Sequence, residues 1–173
     1  LKEKELRKLC RQILSPERYD HTLRVVDLSK LLALRYGEDA RKAKTAAYFH
    51  DLGYFLGRSK KDRALSHAKI SERFARKQGI TDSEVLEAIR VHTTGQRGMS
   101  TLAKILFVAD AAEPGRTYPG VEQIRRESFR SLDRAILMII KRTREHLHTK
   151  KKRLSRKTVQ LEKELLKNMK EDH

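Results

Sequence analysis

A chain of 173 residues suits one domain with a real core and is short for two. Its composition, 38% hydrophobic and 36% charged, fits a helical protein with strongly solvated outer faces. Lys and Arg outnumber Asp and Glu by 40 to 23, and the resulting +17 attracts polyanions: nucleotides, nucleic acid or anionic lipid. The single cysteine, Cys10, excludes an internal disulfide, and no apolar run approaches the roughly 20 residues needed to span a bilayer. No signal-peptide pattern opens the chain, so a soluble protein of the reducing cytoplasm is expected.

Residues 3–14 read as a first helix, with Leu6, Leu9 and Ile13 spaced by three and four. Ser15-Pro16-Glu17 restarts the chain, with Ser as N-cap and Pro at the first helical position. The second helix runs to about Tyr36, where Gly37 supplies a left-handed stop. His21 lies on its buried stripe with Val25, Leu28 and Leu32. Asp39 caps a third, alanine-rich helix, and Ala43, Ala47 and His50 share its inner face. Residues 55–65 are basic and aperiodic, and Gly57 fits a loop.

Ser66 is expected to cap the next helix, on which His67, Ile70 and Phe74 share a face before Gly79. Thr81-Asp82-Ser83-Glu84 reads as a capping box, and the helix it opens aligns Val85, Ile89 and His92. A polar turn, His92-Thr93-Thr94-Gly95, leads through a loop to Gly98, and Ser100 caps the helix that follows. Its inner side carries Ala103, Leu106, Phe107 and then Asp110. Glu113-Pro114-Gly115-Arg116 breaks that helix, and Tyr118-Pro119-Gly120 is a turn signal. Residues 131–146 form another apolar helix. From Lys141 onward twelve Lys or Arg face five acids, with an unbroken run from Lys150 to Arg153. Leu161, Leu165 and Met169 mark a last helix.

Four histidines, His21, His50, His67 and His92, therefore sit on apolar faces of four successive helices. A buried Asp110 needs a cation or several donors, because leaving it unpaired costs several kcal/mol. Asp51 adjoins His50. Neighbouring helical residues point about 100° apart, so this pair can share a target only near a helix end. Imidazole and carboxylate donors together suit iron, manganese or zinc. Hydroxyls and free N–H groups around Thr93 and Gly95 are candidates to hold phosphate oxygens, and Arg116 is placed to enter the same cleft.

An early helical histidine, a His-Asp pair and a distant Asp form the pattern of HD-domain phosphohydrolases. Arg18-Tyr19-Asp20-His21-Thr22, His50-Asp51, His92-Thr93-Thr94-Gly95, Met99-Ser100 and Val108-Ala109-Asp110 with Glu113-Pro114-Gly115-Arg116 closely resemble the YqeK-type subfamily, over about residues 15–145. The resemblance implies an all-α, single-domain helical bundle, with an HD domain over 1–149 and a basic C-terminal helix over 150–173. It implies symmetrical hydrolysis of diadenosine tetraphosphate to two ADP by metal-activated water, with one or two divalent ions, iron in this subfamily. It makes His21, His50, Asp51 and Asp110 the metal ligands, and gives His67 and His92 to a second metal or to the phosphates. Arg18, Thr93, Gly95 and Arg116 match phosphate-contacting positions, and His50, Asp51 and Arg116 stand closest to the chemistry.

Tyr54 departs from the lysine usual three residues after the aspartate, with Lys60, Lys61 or Arg63 available to compensate. Leu154-Ser155-Arg156-Lys157-Thr158 departs from the usual Ile-His-Pro-like segment. An HD enzyme acting on another nucleotide, such as a nucleoside monophosphate, is the nearest alternative. A basic RNA- or ribosome-associated protein with a vestigial HD site is the rival from another class. A homodimer is compatible with either, and no membrane contact is expected.

Overall fold

The computed structural model describes residues 1–56 and 63–171, with backbone alone at 63–65. Among these residues the chain is helical and contains no strand. The segments are α1 (Glu3–Ile13), α2 (Pro16–Arg35), α3 (Ala40–Phe49), α4 (Gly53–Leu56), α5 (Arg63–Lys77), α6 (Ser83–Val91), α7 (Thr101–Ala112), α8 (Val121–Ser128), α9 (Leu132–Thr149) and α10 (Arg156–Glu171). Among the described residues no helix is long and apolar enough to cross a membrane.

Side-chain oxygens set most of the helix starts. Ser15 accepts from the Arg18 N–H, Asp39 from those of Arg41 and Lys42, and Ser100 from that of Ala103. Tyr36 and Gly37 (φ 71°) turn α2 off, with the Glu38 N–H reaching back to the Ala33 carbonyl. Two expectations are corrected. α5 already starts at Arg63, so Ser66 lies within the helix rather than capping it. α6 is capped by Asp82, whose carboxylate accepts from the N–H groups of Glu84 and Val85, so Thr81 stands one residue too early for the box. Gly57, Lys60 and Lys61 lie outside the described residues, as does the side chain of Arg63.

α2, α3 and α7 pack together around an apolar core in which Val25, Leu32, Ala46, Tyr48, Phe49, Ile105 and Val108 are essentially inaccessible. α6 packs on α3, α5 and α7, and α9 closes the other side of α7. α8, which no sequence signal announced, starts at Gly120 (φ 86°) and buries Val121 and Ile124 against the same core.

α10 packs back rather than trailing away. Leu161 and Leu165 are fully buried, and the Thr158 hydroxyl donates to the Thr94 carbonyl at 2.7 Å. Glu164 accepts from the Gly98 N–H at 2.9 Å. Gly95 (φ 59°) is required here, because a Cβ would lie 2.4 Å from Leu161 Cδ2.

Candidate metal centre

α3 ends at Phe49, so His50 is its C-cap and Asp51 follows where the backbone has left the helix. Such an ending lets the two adjacent residues face one target. His92 is likewise the C-cap of α6. Each of these histidines folds its ring back on a last-turn carbonyl: His50 Nδ1 lies 2.6 Å from Ala47 O, and His92 Nδ1 lies 2.8 Å from Ile89 O. A carbonyl only accepts, so Nδ1 carries the proton in both and Nε2 is turned toward the centre.

The structure brings His21, His50, His67, His92, Asp51 and Asp110 to one place. Asp51 lies between two groups. Its Oδ2 is 3.4 Å from His50 Nε2 and 3.8 Å from His21 Nε2; its Oδ1 is 3.4 Å from His67 Nε2 and 3.7 Å from His92 Nε2. Asp110 Oδ1 faces the first group, 3.1 Å from His21 Nε2 and 4.0 Å from His50 Nε2. His67 Nε2 and His92 Nε2 are 3.0 Å apart. That is hydrogen-bond distance, and with the His92 proton on Nδ1 its Nε2 is the acceptor.

Whether these residues fit a cation is decided by their unsatisfied atoms. His21 Nε2 and His50 Nε2 are buried and make no hydrogen bond, despite the carboxylate oxygens nearby. Leaving such an atom without a partner costs about 1–3 kcal/mol. Lone pairs converging with anionic oxygens are the donor set of a divalent metal. The sets His21, His50, Asp110 and His50, Asp51, His92 each bring their ligand atoms within 4.8 Å of one another.

The charge balance follows from the same contacts. Burial alone would raise the Asp51 carboxyl, but His50, His67 and His92 hold it well below the usual carboxylate range. Asp110 is lowered in the same way, against burial, chiefly by His21 and His50. Burial opposes charge on His50 as well, yet Asp51 and Asp110 prevail and push its pKa up to about 9, so without a metal a proton on Nε2 takes the place a cation would hold. At His92 burial wins, and its pKa falls.

Arg18, Arg24 and Arg116 line the mouth, each held by an acid, and Arg116 lies near both Asp110 and Glu113. Arg18 Nη1 donates to Asp51 Oδ2 at 2.6 Å, Arg24 Nε to Glu113 Oε2 at 2.6 Å, and Arg116 Nη2 to Asp110 Oδ1 at 2.9 Å. Their side chains remain 38–39% exposed, so further N–H groups face the cleft. Arg18 also lies over the Tyr54 ring, 4.4 Å from its centre, and that ring stacks on His67 at 3.8 Å. Tyr54 thus fills the place beside His67 with an aromatic wall. Thr93 is half-buried in the turn after His92, and Gly95 faces α10.

Glu113 and Arg24 carried no role in the sequence reading. Glu113 is 2% exposed; it accepts from Arg24, from the Gly115 N–H, and from His21 Nδ1 at 3.1 Å. A signal was present: Arg24 lies three residues after His21, and Glu113 three after Asp110, so both share a helical face with an expected ligand. Ser71 was also missed. It accepts from the Gly53 N–H at 2.8 Å and donates to the His50 carbonyl at 2.7 Å, fixing the turn that carries Asp51.

A helical bundle with an interior His/Asp cluster joined by a His-Asp pair defines the HD class, and residues 18–115 match the HD domain family model. The chain belongs to the HD-domain family. Within that family it is 33% identical to a Bacillus subtilis protein, covering 77% of this chain and 81% of the relative. It is 38% identical to one from Halalkalibacterium halodurans (75% and 78% covered) and 37% identical to one from Staphylococcus aureus (79% and 80%). All three carry the name bis(5'-nucleosyl)-tetraphosphatase, symmetrical. A crystal structure from Clostridium acetobutylicum, described as an HD superfamily hydrolase involved in NAD metabolism, superposes with a TM-score of 0.88. It is 30% identical and covers 97% of this chain and 98% of its own.

Proposed function

We propose that this chain hydrolyses diadenosine tetraphosphate symmetrically, adding one water across the central phosphoanhydride to give two ADP. The observation that carries the reading is Asp51, whose two oxygens face two histidine groups, His21/His50 and His67/His92, beneath a mouth of arginines. His21, His50, Asp51 and Asp110 would hold a divalent metal, and His67 and His92 would hold a second ion or the phosphates. Iron is the metal we expect, since the resemblance implies it and imidazole with carboxylate suits it. Such an ion supplies Lewis acidity and brings the pKa of water toward neutrality.

The chain's own residues do the rest. Arg18, Arg24 and Arg116 are each held by an acid, so they offer their outer N–H groups in fixed directions to the oxygens of a polyphosphate. Their charge offsets what accumulates on phosphate oxygens as the central P–O bond breaks. A side-chain nucleophile is not required, and Cys10 is unsuited to be one: it is buried, donates to the Tyr48 carbonyl, and burial pushes its pKa up to about 12.

Protein purified without chelator, analysed for metal and incubated with diadenosine tetraphosphate, tests this. ADP as the sole nucleotide product supports the reading, and a mixture of ATP and AMP overturns it. Asp110→Ala retaining both metal and turnover would refute the ligand assignment.

A contact with RNA or the ribosome is a second reading, favoured by the turn between α9 and α10. Lys150, Lys151, Lys152, Arg153, Arg156 and Lys157 are exposed there, and none joins an ion pair with a described residue. Replacing Lys150, Lys151 and Lys152 by Glu should weaken RNA binding and its salt dependence while leaving turnover intact. Truncation is the wrong test, because α10 supplies Leu161 and Leu165 to the core.

A further inference from the structure

We propose that Glu113 is the positioning residue of His21, fixing its tautomer and ring angle, and that Arg24 is the tether holding Glu113 in place. The inference rests on the metal-centre reading and adds to it a carboxylate outside the ligand set.

His21 differs from His50 and His92. Those two cap helices, where last-turn carbonyls are free to take the Nδ1 proton. His21 sits in the body of α2, five residues past Pro16, where each carbonyl is already committed to the helix ladder. Its Nδ1 must find a side chain, and the one it meets is Glu113, 3.1 Å away at the C-cap of α7. An ionised carboxylate only accepts, so Nδ1 bears the proton and Nε2 presents its lone pair toward Asp110 and Asp51.

Glu113 is itself held on both oxygens. Arg24 Nε donates to Oε2 at 2.6 Å and Arg24 Nη2 to Oε1 at 3.4 Å, and the Gly115 N–H closes on Oε2. Gly115 also makes room for the tether, since a Cβ there would fall 2.5–2.6 Å from Nε, Cζ and Nη2 of Arg24. With the Nε/Nη2 edge of the guanidinium so engaged, Arg24 cannot drift without moving Glu113, and Glu113 cannot turn without releasing His21.

Zinc is the probe, because it is diamagnetic and takes the same donors. Metal-free wild type, Glu113→Gln and Arg24→Gln are titrated with zinc against a chromophoric chelator, and each variant's unfolding midpoint is recorded without metal. Glu113→Gln should bind one zinc about 10- to 100-fold more weakly while its metal-free form stays folded, and Arg24→Gln should show a smaller loss in the same direction. The nitrogen-15 spectrum of zinc-loaded wild type should show His21 protonated at Nδ1 and metal-shifted at Nε2. Wild-type zinc affinity in Glu113→Gln, or the opposite His21 tautomer, overturns the inference and leaves the metal centre standing. Wild type that binds no zinc, iron or manganese overturns the metal centre itself. Should Glu113→Gln fail to fold, the His21 spectrum alone decides.

Discussion

Replacing Gly53 by alanine should loosen the turn that carries Asp51. Gly53 opens α4, where α4 crosses α5 at closest approach. A Cβ would lie 2.1 Å from the His67 carbonyl oxygen, 2.9 Å from its carbon and 2.9 Å from the Ser71 nitrogen. All three are backbone atoms of a helix, so no rotamer change relieves the clash. Reaching an ordinary contact of about 3.4 Å requires α4 and α5 to part by about 1.3 Å at the His67 oxygen, with overpacking strain of about 1–3 kcal/mol. The same movement stretches the Gly53–Ser71 and Ser71–His50 hydrogen bonds from 2.8 and 2.7 Å, at roughly 0.5–1.5 kcal/mol each. The total is about 2–6 kcal/mol, read as a lowered urea midpoint. His67 and Asp51 sit on the two sides of this contact, and a displacement near 1 Å at a reacting centre costs on the order of 100-fold in rate. Ser71→Ala is the control, losing the hydrogen bonds without the clash and about 1–3 kcal/mol of stability. Gly53→Ala with the wild-type midpoint and turnover would refute the argument.

Two other outcomes follow from contacts away from the centre. Leu161→Ala should cost about 2–5 kcal/mol, because the side chain is wholly buried. It should also rescue part of the loss in Gly95→Ala, since the added Cβ meets Leu161 Cδ2; additive losses in the double-mutant cycle would refute that contact. Glu3 ties α1 to α3 through Lys44, and this contact first, together with Arg7 and against burial, lowers its pKa from 4.5 to about 2. A depressed folded-state pKa gives stability present above pH 4.5 and lost as pH falls toward 2. Glu3 is 40% exposed, so solvent screening limits the contribution to about 0.2–1 kcal/mol. Glu3→Gln should therefore melt below wild type at pH 6 and with it near pH 2; a gap that survives in acid counts against the pair.

The starts of α2, α3 and α7 were legible because one side-chain oxygen stands at each N-cap. Ser66 misled because serine is also tolerated inside a helix, and nothing local distinguishes the two uses. α8 was silent: its cap is Gly120, which has no side chain to announce it, and its helix is too short for a clear stripe. α10 reads as a charged tail by composition, yet three positions, Thr158, Leu161 and Leu165, decide its burial. Charge counts register the outward face of a helix, whereas packing is set by the few residues on the other.

The candidate site was legible in its inward histidines, in Asp51 and Asp110, and in Arg18 and Arg116 at its mouth, but not in what orients the histidines. His21, His50, His67 and His92 betray themselves by sharing stripes with apolar residues. What orients them is not periodic. At His50 and His92 the orienting atom is a backbone carbonyl of the histidine's own helix, left free because the helix ends there. The placement of His-Asp at the end of α3 therefore serves two needs at once: it lets adjacent residues face one point, and it supplies the acceptor for Nδ1. A histidine in mid-helix gains neither advantage, so His21 must draw its acceptor from another element 92 residues away. Sequence exposes local devices and hides those that close only on folding. Glu113 belongs to the second kind, for the same reason that His50 belongs to the first.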